Sequence, residues 1–170
     1  VTINYTSGTT AQPKGVMITH RNAYMNSIGS LVHFNLSVKE RYLWTLPMFH
    51  ANGWTFVWTI TACGGTHVCL RKTVAGNIFS LIKRENITLF CAAPTILISI
   101  VNAPEDLRKH APAGIRVITA GAPPAAATIE RIENELGWDL IQVYGLTETA
   151  PFISICEALP EHCHLTPSQL

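Results

Sequence analysis

The sequence predicts an α/β fold built on a mostly parallel sheet, and three observations lead there. Short apolar or β-branched runs alternate with helical patterns along the chain, the mark of βαβ units. Apolar residues make up 48% of the 170 residues and charged residues only 14%, which excludes a disordered chain, whose balance is the reverse. The length suits about one domain and a core that needs no disulfides.

The elements follow in order. Val1 to Thr6 reads as a strand running into a Gly/Thr/Ser loop, and Val16 to Thr19 as a short apolar strand after it. Arg21 to His33 carries Tyr24, Ile28, Leu31 and Val32 at helical spacing, with Thr19 or His20 near its start. Arg41 to Leu46 is a strand closed by Pro47. Asn52 to Ala62 is apolar almost all round, so it is either a buried helix or one covered by another domain. Gly64-Gly65 stops it, and Thr66 to Leu70 is a β-branched strand. Ala75 to Glu85 is amphipathic through Ile78, Phe79, Leu81 and Ile82. Thr88 to Cys91 is a strand, and Thr95 to Val101 a short helix begun after Pro94. Asn102 to Gly114, with Pro104, Pro112 and mixed charge, reads as an exposed loop. Ile115 to Thr119 is a strand. Ala125 to Leu136 is a helix with Ile129, Ile132 and Leu136 inward, stopped by Gly137. Asp139 to Tyr144 and Phe152 to Cys156 are the last two strands.

Composition excludes several classes of function. The formal charge is +1 and the twelve Lys and Arg are scattered, so no basic stripe exists for nucleic acid. Five cysteines without paired spacing argue against a disulfide framework and for a reducing compartment. No signal peptide opens the sequence. The most apolar run, Ile87 to Val101, is broken by Pro94 and falls short of the ~20 residues of a membrane span. No Gly-x-Ser-x-Gly elbow is present. Cys156, His162, Cys163 and His164 fit no zinc spacing. The start at Val1, inside a strand, and the stop at Leu170, in a polar tail, suggest a segment of a longer protein.

Open parallel sheets bind ligands beyond the carboxyl ends of their strands, and four motifs fall at such ends. Tyr5-Thr6-Ser7-Gly8-Thr9-Thr10-Ala11-Gln12-Pro13-Lys14-Gly15 packs four hydroxyls into five positions, with a lysine four residues on. Such a loop offers backbone N–H groups, hydroxyls and one cation to a polyphosphate; an ordinary Gly/Thr hairpin is the plainer alternative. It is not a Walker A loop, which needs Gly-Lys-Ser/Thr. Tyr144-Gly145-Leu146-Thr147-Glu148-Thr149 offers an aromatic face for a base, a hydroxyl donor and a hard carboxylate suited to Mg²⁺. Taken alone it reads better as a strand end followed by a helix cap with an acidic first turn. Thr119-Ala120-Gly121-Ala122-Pro123-Pro124 lets a flat ring approach the backbone at Gly121. Leu46 to Trp54 contains His50, Asn52 and Gly53 among apolar residues.

Together these motifs resemble the adenylate-forming enzymes: acyl-CoA synthetases, aryl-CoA ligases, luciferases and peptide-synthetase adenylation domains. The first is similar to their Ser-Gly-Thr-Thr-Gly-x-Pro-Lys-Gly loop, with Ala11 where glycine is usual; alanine holds a positive φ less easily. The second is similar to their Tyr-Gly-x-Thr-Glu signature. The four motifs stand in family order from Tyr5 to Thr149, and Tyr42 to His50 looks most like the fatty-acyl branch. The resemblance implies a central segment of the large N-terminal domain, with parts of its subdomains. Its phosphate loop would span 5–15, its acyl-channel segment 46–54, its adenine segment 119–124 and its signature 144–148.

The activity implied is ATP-dependent activation of a carboxylic acid as an acyl-adenylate, then transfer to coenzyme A. ATP, Mg²⁺ and coenzyme A are the implied cofactor and co-substrates. Thr6, Ser7, Gly8, Thr9, Thr10 and Lys14 would hold the β,γ-phosphates. Gly121, Ala122, Pro123, Tyr144 and Gly145 would line the adenine site. Thr147 and Glu148 would serve the α-phosphate and the metal, and His50, Gly53 and Gly145 the acyl group. Lys14, His50, Thr147 and Glu148 are the implied catalytic set. Acetate-specific relatives carry Trp where Gly145 stands, so an acid longer than acetate is expected. Further expectations are partnership with the rest of its own chain, including a C-terminal domain that supplies a second lysine. Self-association is compatible with this. No nucleic-acid partner and no transmembrane segment are expected, the location is cytoplasmic or, in a eukaryote, peroxisomal, and the isolated segment should be inactive. A carrier-protein thiol as acceptor and a non-catalytic nucleotide binder are the alternatives.

Overall fold

The computed structural model describes residues 1–7, 12–157, 159–162 and 164–165. Gly8, Thr9, Thr10, Ala11 and Cys163 lie outside the described residues. Strands β1 (Thr2–Thr6) and β2 (Lys14–Ile18) pair antiparallel as a hairpin. The main sheet holds β3 (Arg41–Trp44), β4 (Thr66–Cys69), β5 (Leu89–Ala92), β6 (Arg116–Thr119), β7 (Asp139–Gly145) and β8 (Phe152–Ile155) in the order β4-β3-β5-β6-β7-β8. All neighbours run parallel except β7 and β8, which are antiparallel.

The parallel strands bury both faces, and their residues alternate between two cores. Leu43, Phe90, Ala92 and Val117 point to a core closed by α4 (Ala75–Glu85), α5 (Pro94–Val101) and α7 (Ala126–Leu136). Tyr42, Trp44, Leu89, Cys91 and Ile118 point to the other, closed by Phe34 at the end of α1 (His20–His33) and by α3 (Phe56–Ala62). This is why the strands read as continuous apolar runs rather than alternating ones. The second core is aromatic: Tyr42 stacks on Phe56 with centroids 5.0 Å apart. Burial pushes the Tyr42 hydroxyl and the Cys91 thiol up from their ordinary pKa values, so both stay neutral.

Three expectations need correction. In α1 the apolar stripe faces outward: Tyr24 and Val32 are exposed, and the buried residues are Ala23, Ser27 and Ser30. Small side chains let α1 lie close to the next layer, where Ser27 Oγ is 3.5 Å from Thr55 Oγ1. The Asn52–Ala62 helix does not form as one piece. Ala51 to Thr55 all have positive φ, including α2 (Ala51–Trp54), and the right-handed α3 starts only at Phe56. Of the two alternatives for that segment, α3 is the buried helix, with Phe56, Thr59 and Ile60 inside. The 102–114 loop contains α6 (Glu105–Lys109), with acidic residues in its first turn and basic ones in its last, which complements the helix dipole.

A polar clamp closes the amino ends of the strands. Glu40 is 5% exposed and pairs with Arg116, Nη2 to Oε1 2.7 Å. Thr88 Oγ1 donates to Glu40 Oε2 at 2.6 Å and accepts from the Arg41 backbone N–H at 3.0 Å. Arg116 also donates to the Phe34 carbonyl. One network thus joins the starts of β3, β5 and β6 to the end of α1.

Candidate functional site

At the opposite end of the sheet two concavities adjoin. The larger, about 590 Å³, is lined by Tyr5, Thr6 and Ser7 after β1, by Phe49, His50 and Ala51, and by Leu146, Thr147 and Glu148 after β7. The smaller, about 200 Å³, shares His50, Ala51, Leu146 and Thr147 and adds Trp54, Ala120, Gly121, Gly145, Pro151 and Phe152. The carboxyl ends of β6 and β7 supply this floor, as open parallel sheets require. A groove of about 620 Å³ between α1 and β8 is the largest concavity among those described, but it contains none of the expected site residues.

The hairpin brings Thr6 and Ser7 to the cleft, while Lys14 is not among its lining residues. Thr2, Asn4 and Thr6 are the half-buried positions of β1, alternating with exposed Ile3 and Tyr5. Lys14 stands opposite Thr6 in register and is exposed. After β7 the chain makes a single tight turn over Thr147–Thr149. Thr149 Oγ1 accepts from the Leu146 backbone N–H at 2.9 Å and fixes the turn that carries Thr147 and Glu148. The exposed Glu148 carboxylate and the hydroxyls of Thr6 and Thr147 line one cleft, a set of hard oxygens that suits Mg²⁺ shared with phosphates. Among the described residues no cluster of three His, Cys, Asp or Glu side chains that could hold a metal exists.

Other expected site residues stand apart. Tyr144 is 57% exposed and, like Ala122 and Pro123, lies outside both concavities. Gly53 is buried with φ +58, and an added Cβ would lie 2.6 Å from Trp44 Cη2. It rests on the Trp44 ring and lines neither concavity. Gly145 does line the smaller cavity, but an added Cβ would lie 2.7 Å from the Pro151 carbonyl carbon and 3.0 Å from Phe152 Cα. The close return of β8 leaves no room for a side chain at 145 in this chain, a constraint that acts beside its place on the cavity wall.

The wall bearing His50 is supported by Asn52, to which its motif gave no role, and by Thr2 and Asn4 outside the motifs. Asn52 Oδ1 accepts from Thr2 Oγ1 at 2.7 Å and Asn4 Nδ2 at 2.6 Å. The Asn52-Gly53 dipeptide, a turn signal, was the available clue. Left-handed backbone costs ~1–2 kcal/mol per ordinary residue, and Ala51, Asn52, Trp54 and Thr55 all adopt it. Beneath, Trp44 Nε1 donates to His67 Nδ1 at 3.0 Å. His67 Nε2 then carries the proton, 3.1 Å from Thr61 Oγ1. Burial holds the His67 pKa below its ordinary value.

Comparison with known proteins agrees with this geometry. The AMP-binding enzyme family matches residues 1–169. A probable acyl-activating enzyme 10 of Arabidopsis thaliana is 44% identical over 165 residues, 97% of this chain and 30% of that protein. A 2-methylpropanoate–CoA ligase of Humulus lupulus is 43% identical over 169 residues, 98% of this chain and 30% of that protein. Among solved structures, O-succinylbenzoate coenzyme A synthetase from Bacillus subtilis, in complex with ATP and magnesium ion, superposes with a TM-score of 0.82 at 28% identity, over 95% of this chain and 33% of that one. The N-terminal domain of FACL13 from Mycobacterium tuberculosis gives 0.82 at 30% identity, over 94% of this chain and 39% of that one. The chain spans about 30% of the length of the relatives it matches. With that match along its length, and a parallel sheet ending in one shared cleft, the chain belongs to the AMP-binding enzyme family.

Proposed function

We propose that the chain is the central nucleotide- and acid-binding segment of an AMP-forming acid–thiol ligase that makes acyl-CoA. One observation carries the reading: Thr6 and Ser7 from the hairpin, His50 from the segment after β3, and Thr147 and Glu148 from after β7 line a single cleft. The several CoA ligases among the relatives support coenzyme A as acceptor over a carrier-protein thiol.

In the first step a substrate carboxylate oxygen attacks the α-phosphorus of ATP, and pyrophosphate leaves. In the second the CoA thiol attacks the acyl carbon of the adenylate and AMP leaves. Lys14 and the hydroxyls of residues 6–10 would neutralise the leaving pyrophosphate. Thr147 would donate to an α-phosphate oxygen, Glu148 would hold Mg²⁺, and His50 would face the carboxylate. Preorganised donors aimed at growing phosphate charge are the main source of rate in such a site; Mg²⁺ would supply Lewis-acid polarisation of the phosphates. Gly121, Ala122, Pro123 and Tyr144 would meet adenine. Gly53 and Gly145 enter as backbone supports of the acyl wall.

An acid longer than acetate is part of the proposal. The smaller cavity is lined by Trp54 and Phe152 beside His50, apolar surface worth ~0.8 kcal/mol per CH₂, or about fourfold in affinity per carbon. One relative is named an acetate–CoA ligase, so family membership does not decide chain length. Among the described residues no helix is long and apolar enough to cross a membrane. Cytoplasm or peroxisome is the proposed location, and three relatives are named peroxisomal. Partnership with a C-terminal domain is proposed as well, so the segment alone should not turn over.

The test is ATP–pyrophosphate exchange on the longest polypeptide carrying this sequence, across straight-chain and aryl acids. Exchange with one class of acid should fall on the order of 100-fold or more in Glu148→Gln. ATP binding without exchange for any acid would instead establish a non-catalytic binder.

A further inference from the structure

We propose that the left-handed turn Ala51–Thr55 couples the nucleotide end of the cleft to the acid end, with Asn52 as its positioning residue, a role that rests on the adenylation reading above. Five successive residues have φ between +39° and +68°. Elsewhere among the described residues, positive φ occurs at non-glycine positions only singly, at Asn35, Asn86 and Ala150. A run of this kind persists only where its surroundings over-determine it, and three contacts do so. Gly53 rests on the Trp44 ring. The Thr55 carbonyl accepts from Thr59 Oγ1 at 3.1 Å. Asn52 Oδ1 takes both of its donors, Thr2 Oγ1 and Asn4 Nδ2, from β1.

The third contact is the one that connects two ligands. Successive odd or even residues of a strand share a face, so Thr2, Asn4 and Thr6 form one row. Asn52 grips the first two members of that row, and the third lines the cleft. From Thr2 to Thr6 the strand is a rail roughly 13 Å long at ~3.3 Å per residue. A movement of its Thr6–Ser7 end on loading phosphates shifts Thr2 and Asn4 together. Both donors meet one acceptor, so the clamp forms or releases as a unit. The turn it holds begins directly after His50, and Ala51 itself lines both cavities. Clamped and released turns are the two states that coupling between sites needs, and the effect must be reciprocal.

The experiment measures binding of Mg²⁺ and α,β-methylene-ATP by calorimetry, with and without the acid that supports exchange, on the longest polypeptide carrying this sequence. In the unaltered protein the acid should tighten the nucleotide by a factor on the order of 5 to 150. Asn52→Gly keeps access to positive φ and removes the acceptor; its factor should fall to within about twofold of unity. Asn52→Asp keeps an acceptor oxygen and should retain the coupling. Thr2→Val with Asn4→Ala removes the donors from the other side and should reproduce the loss, which keeps the test open if Asn52→Gly does not fold. Undiminished coupling in folded Asn52→Gly or in the double variant overturns the role, as does exchange in the unaltered protein without any coupling. Absence of exchange for every acid overturns the adenylation reading and this role with it.

Discussion

Gly145→Ala is the substitution whose effect the structure specifies most closely. The new Cβ would stand 2.7 Å from the Pro151 carbonyl carbon, where ordinary contact begins at 3.4 Å. The Pro151 carbonyl oxygen stands closer still and all these atoms belong to backbone, so β8 must retreat by at least about 0.7 Å. The Pro151 carbonyl is also the acceptor for the Leu146 backbone N–H, at 3.1 Å, and for the Thr149 hydroxyl. The same retreat stretches the Leu146 bond past hydrogen-bonding range. Losing one hydrogen bond at ~0.5–1.5 kcal/mol, with ~1–3 kcal/mol of overpacking, gives about 2–5 kcal/mol. The turn that presents Thr147 and Glu148 hangs on those bonds, and a shift near 1 Å costs ~100-fold in rate. Urea unfolding and ATP–pyrophosphate exchange would read the two effects on one preparation. A stable Gly145→Ala with unaltered exchange would refute the close-approach reasoning. A stable variant that keeps short acids and loses long ones would restore the simpler view of Gly145 as an open channel position.

Two further outcomes follow from groups away from the cleft. Arg116→Met leaves the Glu40 carboxylate nearly buried with Thr88 as its remaining hydrogen-bond donor; breaking such a pair costs ~3 kcal/mol, or roughly 6–12 °C in Tm at this size. Glu40→Gln in the same chain should recover most of it, and a loss under about 1 kcal/mol in the single variant would contradict the clamp. His67 holds its pKa below 6.5 in the fold, so the unfolded chain binds its proton first as pH falls. Its neutral form contributes fully above pH ~6.5, and that contribution fades below. Stability measured against pH should therefore decline less steeply on the acid side in His67→Gln; equal slopes would rule out burial of His67 as their source.

The sequence made the sheet legible because its strands are buried on both faces, so Leu89–Ala92 appears as an unbroken apolar run and Val117-Ile118 as an adjacent apolar pair. The helix Ala75–Glu85 was equally clear, since Ile78, Phe79 and Ile82 recur on one face and are all buried. Periodicity misled at α1, where close approach to Thr55 selects small residues for the inner face and sends Tyr24 and Val32 outward. It misled again at Asn52–Ala62, because an apolar run carries no sign of backbone handedness. At the site, hydroxyls and charges revealed which residues gather, among them Thr6, His50, Thr147 and Glu148. The supports were hidden: Asn52 acts through Thr2 and Asn4, far away in sequence, and Gly145 answers to a neighbouring backbone beside its place on the cavity wall.

The Glu40–Arg116–Thr88 clamp has an evolutionary consequence. It closes one end of the strands while strained backbone and open cavities occupy the other. Four-residue strands separate the ends by roughly 10 Å, far enough for substitutions at the two to add within ~0.3–0.5 kcal/mol. A reserve gained at the clamp is thus available to absorb destabilising changes around His50, Trp54 or Phe152. Descendants of this fold could remodel the smaller cavity in single steps while remaining folded.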